Sequence, residues 1–377
     1  MDFTFTEEQQ AAAETARTVF ADVAPDAVPS PALTPTAVAD DLDRPLWKRL
    51  AATDLLGLLV APEHGGTDLD AVALCLVLRE SARVLARVPL LETAAVAHVL
   101  QHHAPADTAA ALLPDVSAGR LVLTAAAHGT TGHEPAERAV TARHDGTHWI
   151  LDGTTDHVPW AHHADLTAVP AHTTDGRTVL ALLPRDHEGL ALDAQYGTHG
   201  ERLARLRLDA VRLPADRVLD SADAWPALRA LLTTGTCALA LGLGEQVLAL
   251  TSQYTGKREQ FGHPVATFQA VAVQAADRYI DLRAMEATLW QAAWRVSTGA
   301  DAALPAEADL AVAKIWASEG VRRVVQTAQH LHGGFGADTD YPLHRYHAWA
   351  KYLELSLGPA AAHEETLGDL IAAHPLD

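Results

Sequence analysis

Apolar positions recur along this chain with two different periods, and the change of period divides it into three. The first third is helical in pattern. Thr6-Glu7-Glu8-Gln9 sets a Thr three places before a Gln, a pairing that closes a capping box, ahead of an Ala-rich amphipathic segment. Pro29 to Pro35 reads as a Pro/Ser/Thr connector. Helical spacing returns over Leu46 to Leu59, breaks at Ala61-Pro62-Glu63-His64-Gly65-Gly66, whose Gly pair suits a tight loop, and resumes from Leu69 to about His103. Between about Leu121 and Leu219 the apolar runs are short: Leu121-Val122-Leu123, Trp149-Ile150-Leu151 and Val179 to Leu183. Turn dipeptides Asp145-Gly146, Asp152-Gly153 and Asp175-Gly176 punctuate this region, which predicts strands. After Asp223 the helical period persists, interrupted at Gly262 to Pro264, at Pro305 and from Gly333 to Pro342. Leu310, Ala313, Ala317, Val321, Val324, Ala328 and Leu331 fall on one helix face. The pattern predicts an α+β protein: a helical domain over 1–117, a β domain over 118–222 and a helical domain over 223–377.

Composition narrows the function classes. A chain of 377 residues, 49% of them hydrophobic, is long enough for two or three packed units and a sizeable core. No run of about eighteen uninterrupted apolar residues occurs, so no membrane span is expected. The acidic start, Met1-Asp2-Phe3-Thr4-Phe5-Thr6-Glu7-Glu8, does not resemble a secretory signal, and a cytoplasmic location is the expectation. A formal charge of −20 repels polyanions, which argues against nucleic-acid binding. The two cysteines, Cys75 and Cys237, lie in apolar runs without metal or redox spacing and read as buried packing residues. His98 and His102 share a helix face, but Pro105 ends that helix before Asp107 could join them, so no metal site is assigned.

Two stretches place residues where a helical bundle does not require them. The first is Arg258-Glu259-Gln260-Phe261-Gly262-His263-Pro264-Val265, followed by Phe268-Gln269-Ala270. Arg and Gln at a helix end, beside an aromatic ring and a backbone freed by Gly262, suit a pyrophosphate. An ordinary helix terminus with a Gly cap accounts for the same residues. The second is His330-Leu331-His332-Gly333-Gly334-Phe335-Gly336, leading to Tyr341-Pro342. Absent side chains let phosphates or another backbone approach, although glycines also simply end helices.

Taken together with Pro62-Glu63-His64-Gly65-Gly66 and the strand entry Trp149-Ile150-Leu151-Asp152-Gly153, these stretches resemble the acyl-CoA dehydrogenase family over essentially the whole chain. The resemblance implies that family's fold: an N-terminal helical domain, a middle β-barrel or sandwich, and a C-terminal four-helix bundle. It further implies that Arg258, Gln260, Phe261, Gln269, Gly333, Gly334 and Gly336 contact the adenosine diphosphate part of FAD held mainly by a neighbouring subunit. His330, standing where the family usually has Gln, joins this set as a departure from the pattern.

The losses are equally marked. The family's oxidation uses a carboxylate to take the α-proton of a thioester while the flavin takes a hydride from the β-carbon. The resemblance places Leu357 at the usual base position, before Gly358, and Leu232 and Thr233 at the alternative one. None of the three accepts a proton in that role. Glu354, one turn before Leu357, reads as an ordinary helix-surface acid. The flavin-binding loop is reduced to Leu123-Thr124-Ala125-Ala126-Ala127-His128-Gly129-Thr130, in which only Thr124 and Gly129 match the family's pattern. The strand that packs on the flavin becomes His157-Val158-Pro159-Trp160, where Pro159 removes an amide.

What persists reaches toward a partner, and what is gone would serve the chain's own cleft. The phrase His344-Arg345-Tyr346 and the run Ala350 to Gly358 resemble the degenerate chains of α₂β₂ acyl-CoA dehydrogenases in actinobacteria. The expectation is a non-catalytic subunit of a heterotetramer that completes the FAD site of a paralogous catalytic subunit acting on an acyl or steroid-side-chain thioester. Two alternatives stay open. One is a homo-oligomeric flavoenzyme acting on a CoA- or carrier-protein-bound biosynthetic intermediate; the other is a flavin-free thioester-binding or scaffold protein.

Overall fold

A computed structural model describes residues 4–25, 28, 34, 37–39, 42–128 and 139–375. The Met1-Asp2-Phe3 start, Gly129, Thr130 and most of the Pro29 to Pro35 connector lie outside the described residues.

Five helices open the chain: α1 (Glu7–Phe20), α2 (Arg44–Ala52), α3 (Ala71–Arg83), α4 (Leu90–His103) and α5 (Ala106–Ser117). Their starts follow from capping chemistry. Thr6 Oγ1 accepts from the Gln9 amide at 3.2 Å while Gln9 Oε1 accepts from the Thr6 amide at 2.9 Å, closing the predicted capping box. Gln9 Nε2 also donates to Asp70, whose Oδ1 accepts from the Ala73 amide at 2.9 Å. One carboxylate thereby caps α3 and ties it to α1.

Two helical expectations shorten. The pattern over Leu46 to Leu59 forms a helix only to Ala52; Thr53 Oγ1 turns back to the Arg49 carbonyl, Asp54 adopts φ +59°, and the apolar residues beyond it are buried in turns. The segment from Leu69 to His103 splits into α3 and α4 at a turn where Leu85 has φ +50°.

The middle of the chain is an eight-stranded mixed sheet in the order β6-β7-β3-β2-β4-β5-β8, with β1 paired to β4. The strands are β1 (Leu123–Ala125), β2 (Val140–His144), β3 (His148–Pro159), β4 (Leu166–Thr173), β5 (Thr178–Pro184), β6 (Leu190–Tyr196), β7 (Arg202–Pro214) and β8 (Val218–Leu219). Side chains alternate between two cores, as the period of two requires. Val169, Ala171, Val179, Ala181 and Leu183 fill the sheet's own core. Leu166, Ala168, Leu180 and Leu182 face the helical core instead. Burial on both faces is why Val179 to Leu183 reads as an unbroken apolar run. Asp145-Gly146 and Asp175-Gly176 turn the chain between strands as expected, but Asp152-Gly153 sits inside β3. There the register with β7 shifts, Gly153 has φ +142°, and a Cβ on it would lie 2.3 Å from the Ala139 carbonyl oxygen. The dipeptide marks a bulge.

The last third is helical: α6 (Ala224–Lys257), the short hairpin strands β9 (Glu259–Gln260) and β10 (His263–Pro264), α7 (Gln269–Thr298), α8 (Ala306–His332), α9 (Leu343–Leu355) and α10 (Ala360–Ala373). The stripe from Leu310 to Leu331 lies on α8, whose Ala313, Ala317, Val321, Val324 and Ala328 are buried. α6 is long and apolar enough to cross a membrane, yet 78% of its most apolar window is buried inside the fold. It carries Gly242, where a Cβ would lie 2.0 Å from the Arg79 carbonyl oxygen of α3. Arg79 Nε then donates to Glu245 at 2.8 Å, one turn along α6. Helix and helix meet here backbone to backbone. Gly242→Ala gains about 1 kcal/mol of helix propensity but must push α3 away. We expect a net loss of about 1–2 kcal/mol in denaturant unfolding; unchanged stability would show that α3 and α6 do not touch at this point.

Candidate functional site

The main cleft lies where α4, α6, α9 and the sheet converge, with a volume of about 900 Å³ out to its mouth. Leu232, Thr236 and Leu239 present the i, i+4, i+7 face of α6 to it. Thr233, one residue round the helix, faces a separate cavity of about 740 Å³ with Arg229, Glu307 and His363. The two residues at the alternative base position are therefore divided between two cavities, and neither brings a carboxylate.

Leu357 closes the cleft at the end of α9. It is buried, has φ +59°, and is followed by Gly358 at φ +103°. A bulky non-Gly residue in the left-handed region costs on the order of 1–3 kcal/mol, so the surroundings enforce this turn. Part of that enforcement is visible: His363 Nε2 lies 2.9 Å from the Leu357 carbonyl, while wholly buried Lys314 donates from Nζ to the Leu353 and Glu354 carbonyls at 3.2 and 3.1 Å. Burial pulls the Lys314 pKa down to about 8, with Cys237 and Glu354 opposing. Glu354 points its carboxylate to Lys351 at 2.6 Å and does not line the cleft.

Two acids do line the cleft. Glu201 is gripped by Arg87, with Nε to Oε1 at 3.1 Å and Nη2 to Oε2 at 3.3 Å. Glu92, in the first turn of α4, has no hydrogen bond or ion pair from another described side chain. Its own amide and the helix N-terminus favour the anion. Burial outweighs them and raises its pKa to about 7. Opposite stands His199, stacked on Tyr352 with ring centroids 4.3 Å apart. Burial, then Arg345, whose Nη1 donates to the His199 carbonyl at 2.8 Å, depresses the His199 pKa to about 3. Burial likewise holds the Tyr352 phenol protonated, its pKa raised. Sequence reasoning missed Glu92. Its signal was a lone acid in Leu90-Leu91-Glu92-Thr93-Ala94-Ala95, a pattern also explained by the helix dipole.

The described walls of the cleft offer little to a flavin of the chain's own. Thr124 Oγ1 is committed to the Pro159 carbonyl at 2.7 Å. Ala125 and Ala127 bring no hydroxyl, Pro159 brings no amide, and Trp160 leaves the strand with φ +58°. Among the described residues, few side-chain donors remain for the polar edge of an isoalloxazine.

The other predicted set lies at the far end of α6. Arg258 ends that helix, roughly 39 Å along the axis from Leu232 at 1.5 Å per residue over the intervening turns. Arg258, Gln260, Phe261, Gln269, His330, Gly333 and Gly334 are all exposed. Phe261 and Gly262 form the two-residue turn between β9 and β10 with φ +55° and +76°, and Phe261 is 92% exposed. The Gly-rich turn adjoins this hairpin through Tyr254, whose ring stacks on His332 and Phe335 with centroids at 4.4 and 5.3 Å. Gly333 and Gly334 have open space where a Cβ would stand. Gly336 differs: it is buried, and a Cβ there would meet Gln329 and His332 within about 3 Å, so internal packing accounts for it. Arg258 has no hydrogen bond or ion pair from a described acid. An unpaired guanidinium, an exposed ring and two open glycines suit a diphosphate approaching from outside the chain.

Outside these regions, the His98 and His102 rings pack edge to face with centroids 4.3 Å apart, and Cys75 and Cys237 are buried as expected.

Two family descriptions match: "Acyl-CoA dehydrogenase, N-terminal domain" over residues 6–120 and "Acyl-CoA dehydrogenase, C-terminal domain" over residues 233–372. Acyl-CoA dehydrogenase FadE27 of Mycobacterium tuberculosis is 34% identical over 338 residues, covering 88% of this chain and 89% of that one. Among solved structures, a chain of the ChsE4-ChsE5 complex from Mycobacterium tuberculosis superposes with TM-score 0.90 at 33% identity over 100% of both chains. A chain of a Tcur3481-Tcur3483 steroid ACAD variant superposes with TM-score 0.88 at 37% identity, covering 97% of this chain and 98% of that one.

Glu92 yields a pH-dependent prediction. A carboxyl whose pKa is higher folded than unfolded holds an extra proton in the fold between the two values. Stability therefore falls as pH rises from the ordinary carboxylate range through about 7. Glu92→Gln cannot ionise. We expect it to be more stable than the parent by about 2 kcal/mol at about pH 8 and nearly equal at about pH 4.5 in urea unfolding. A difference independent of pH would mean that Glu92 titrates as an exposed acid.

Proposed function

Because the chain belongs to the acyl-CoA dehydrogenase family, with FAD as that family's cofactor, we propose that it is the non-catalytic subunit of a heteromeric acyl-CoA dehydrogenase. In this reading it completes the FAD site of a paralogous catalytic subunit in a cytoplasmic α₂β₂ tetramer. The observation that carries the proposal is the separation along α6: the diphosphate-suited surface at Arg258 stands roughly 39 Å from the chain's own cleft. A group held at Arg258 cannot also lie in that cleft, whose walls show Leu232 and Leu357 where the family places a base.

FAD, when bound, takes the hydride from the β-carbon of the acyl thioester. This chain's contribution is to hold and orient: Arg258 and Gln260 offer donors, Phe261 a ring, and Gly333 and Gly334 backbone without side-chain obstruction. Supporting an assembly, α7 carries an exposed apolar face at Val273, Tyr279 and Ile280, continuous in sequence with exposed Phe268. Both similar structures are complexes of two named chains, and one is a steroid ACAD, which favours a thioester of the same class.

The test is coexpression with each paralogous acyl-CoA dehydrogenase chain, followed by the visible spectrum and native mass. A colourless chain that becomes a yellow mixed tetramer with about two FAD supports the reading. A stable yellow homotetramer with one FAD per chain would overturn it. In the mixed tetramer, Arg258→Ala should weaken FAD retention by about 10- to 100-fold, the range for losing a charge-assisted hydrogen bond. Unchanged flavin content would remove the proposed reach across the interface.

A further inference from the structure

The surface that suits a diphosphate is built from two segments far apart in the chain: the end of α6 with its hairpin, and the Gly-rich turn after α8. Four rings join them. Tyr254, one turn before Arg258, lies nearly parallel to His332, with centroids 4.4 Å and planes 20° apart, and to Phe335, at 5.3 Å and 12°. Tyr341 closes the group, 4.5 Å from Phe335 and 5.3 Å from His332. His332 and Phe335 flank Gly333 and Gly334, so both ends of the glycine pair are held by rings that meet on Tyr254. Polar contacts fix the imidazole within this cluster. The Ala328 carbonyl can only accept, so His332 Nδ1, 2.8 Å away, carries the proton, and Nε2 of the neutral ring accepts from the Tyr341 hydroxyl at 3.2 Å. Tyr254 also sets the other segment. Its carbonyl accepts from the Arg258 amide at 2.8 Å, and the Arg258 carbonyl accepts from the Val265 amide at 2.8 Å, closing the hairpin.

We propose that Tyr254 is a positioning residue for this surface: its ring, stacked on His332 and Phe335, fixes the Gly333–Gly334 backbone in register with Arg258 before the diphosphate arrives. The inference rests on the subunit role proposed above and adds to it the device that makes one surface of two segments. Two consecutive glycines have the widest backbone freedom of any pair, and freedom lost on binding subtracts from affinity. Side-chain packing does not restrain this pair, since nothing stands within 4 Å of where a Cβ would lie on either residue. Gln329 Nε2 donates to the Gly333 carbonyl at 3.3 Å, a long and exposed bond. The ring stack at the two flanks is the stronger restraint. It acts through the ring face and not the phenol, because the Tyr254 hydroxyl reaches the His332 carbonyl only at 3.5 Å, the limit for a hydrogen bond. A ring that merely filled space would affect stability alone; a ring that positions the turn affects how tightly the cofactor is kept, and does so only while Arg258 is present to be aligned with it.

The experiment measures the FAD dissociation constant of the mixed tetramer, from the flavin fluorescence recovered on dilution, for Tyr254→Leu, Tyr254→Phe, Phe335→Leu and Arg258→Ala, with the native mass recorded for each. Tyr254→Leu should weaken FAD binding about 5- to 30-fold, the order of leaving one residue's backbone free. Tyr254→Phe keeps the stack and should bind within about twofold of the parent. Phe335→Leu, at an exposed position, should lose about as much as Tyr254→Leu and carries the test if that variant does not assemble. Tyr254→Leu combined with Arg258→Ala should lose less than the product of the two single effects, because without the guanidinium its alignment with the turn no longer counts. Unchanged FAD affinity in both Leu variants, a Phe variant as weak as Tyr254→Leu, or single effects that simply multiply would each overturn the proposal. The two readings fail differently. FAD kept by Arg258→Ala removes the subunit role and the positioning role with it, whereas FAD lost by Arg258→Ala but kept by both Leu variants removes the positioning role alone.

Discussion

The contact on which the arrangement depends is the backbone approach of α3 to α6 at Gly242, locked by Arg79 reaching Glu245. α6 runs as a spine from the sheet to the far end of the bundle, and at Gly242 α3 meets it without a side chain between them. The consequences propagate along the chain. The turn after α3 delivers Ala86 and Val88 to the cleft wall and Arg87 to Glu201, and α4 then begins with Glu92 facing inward. Move α3 outward by a methyl group and each of these moves with it, because close-packed interiors transmit displacement.

In the non-catalytic reading proposed above, this cleft would differ from a working one in its side chains and not in the course of its backbone. The turn at Leu357 and Gly358 retains left-handed geometry although Leu gains nothing from it. Lys314 and His363 still bind the carbonyls that define the turn. Supports of this kind are costly to remove because their loss leaves buried polar atoms unpaired.

Much of this was legible in the amino-acid order. The change of period located the helical and β regions, the Thr6 to Gln9 box marked the first helix, and the motif around Arg258 pointed to a surface turned outward. The failures share a cause: a local signal shared by two structures. Asp152-Gly153 looks like a turn whether it ends a strand or bulges one, and only the Ala139 carbonyl beside Gly153 decides. Leu55 to Val60 has a helix-like apolar content because its turns are buried. Gly336 belongs to a motif yet is glycine for internal packing, whereas Gly333 and Gly334 stand open. Glu92 was hidden because an acid at a helix start is ordinary until its burial is known.

The exposed ring of Phe261, held in a backbone conformation that disfavours it, has a consequence for the cell as well as for the molecule. In the heteromeric reading proposed above, a copy made without its counterpart would display that ring and the apolar face of α7 to every chaperone and protease it meets. Excess copies would then be candidates for disposal, and the pool of the chain would follow the supply of whatever covers it.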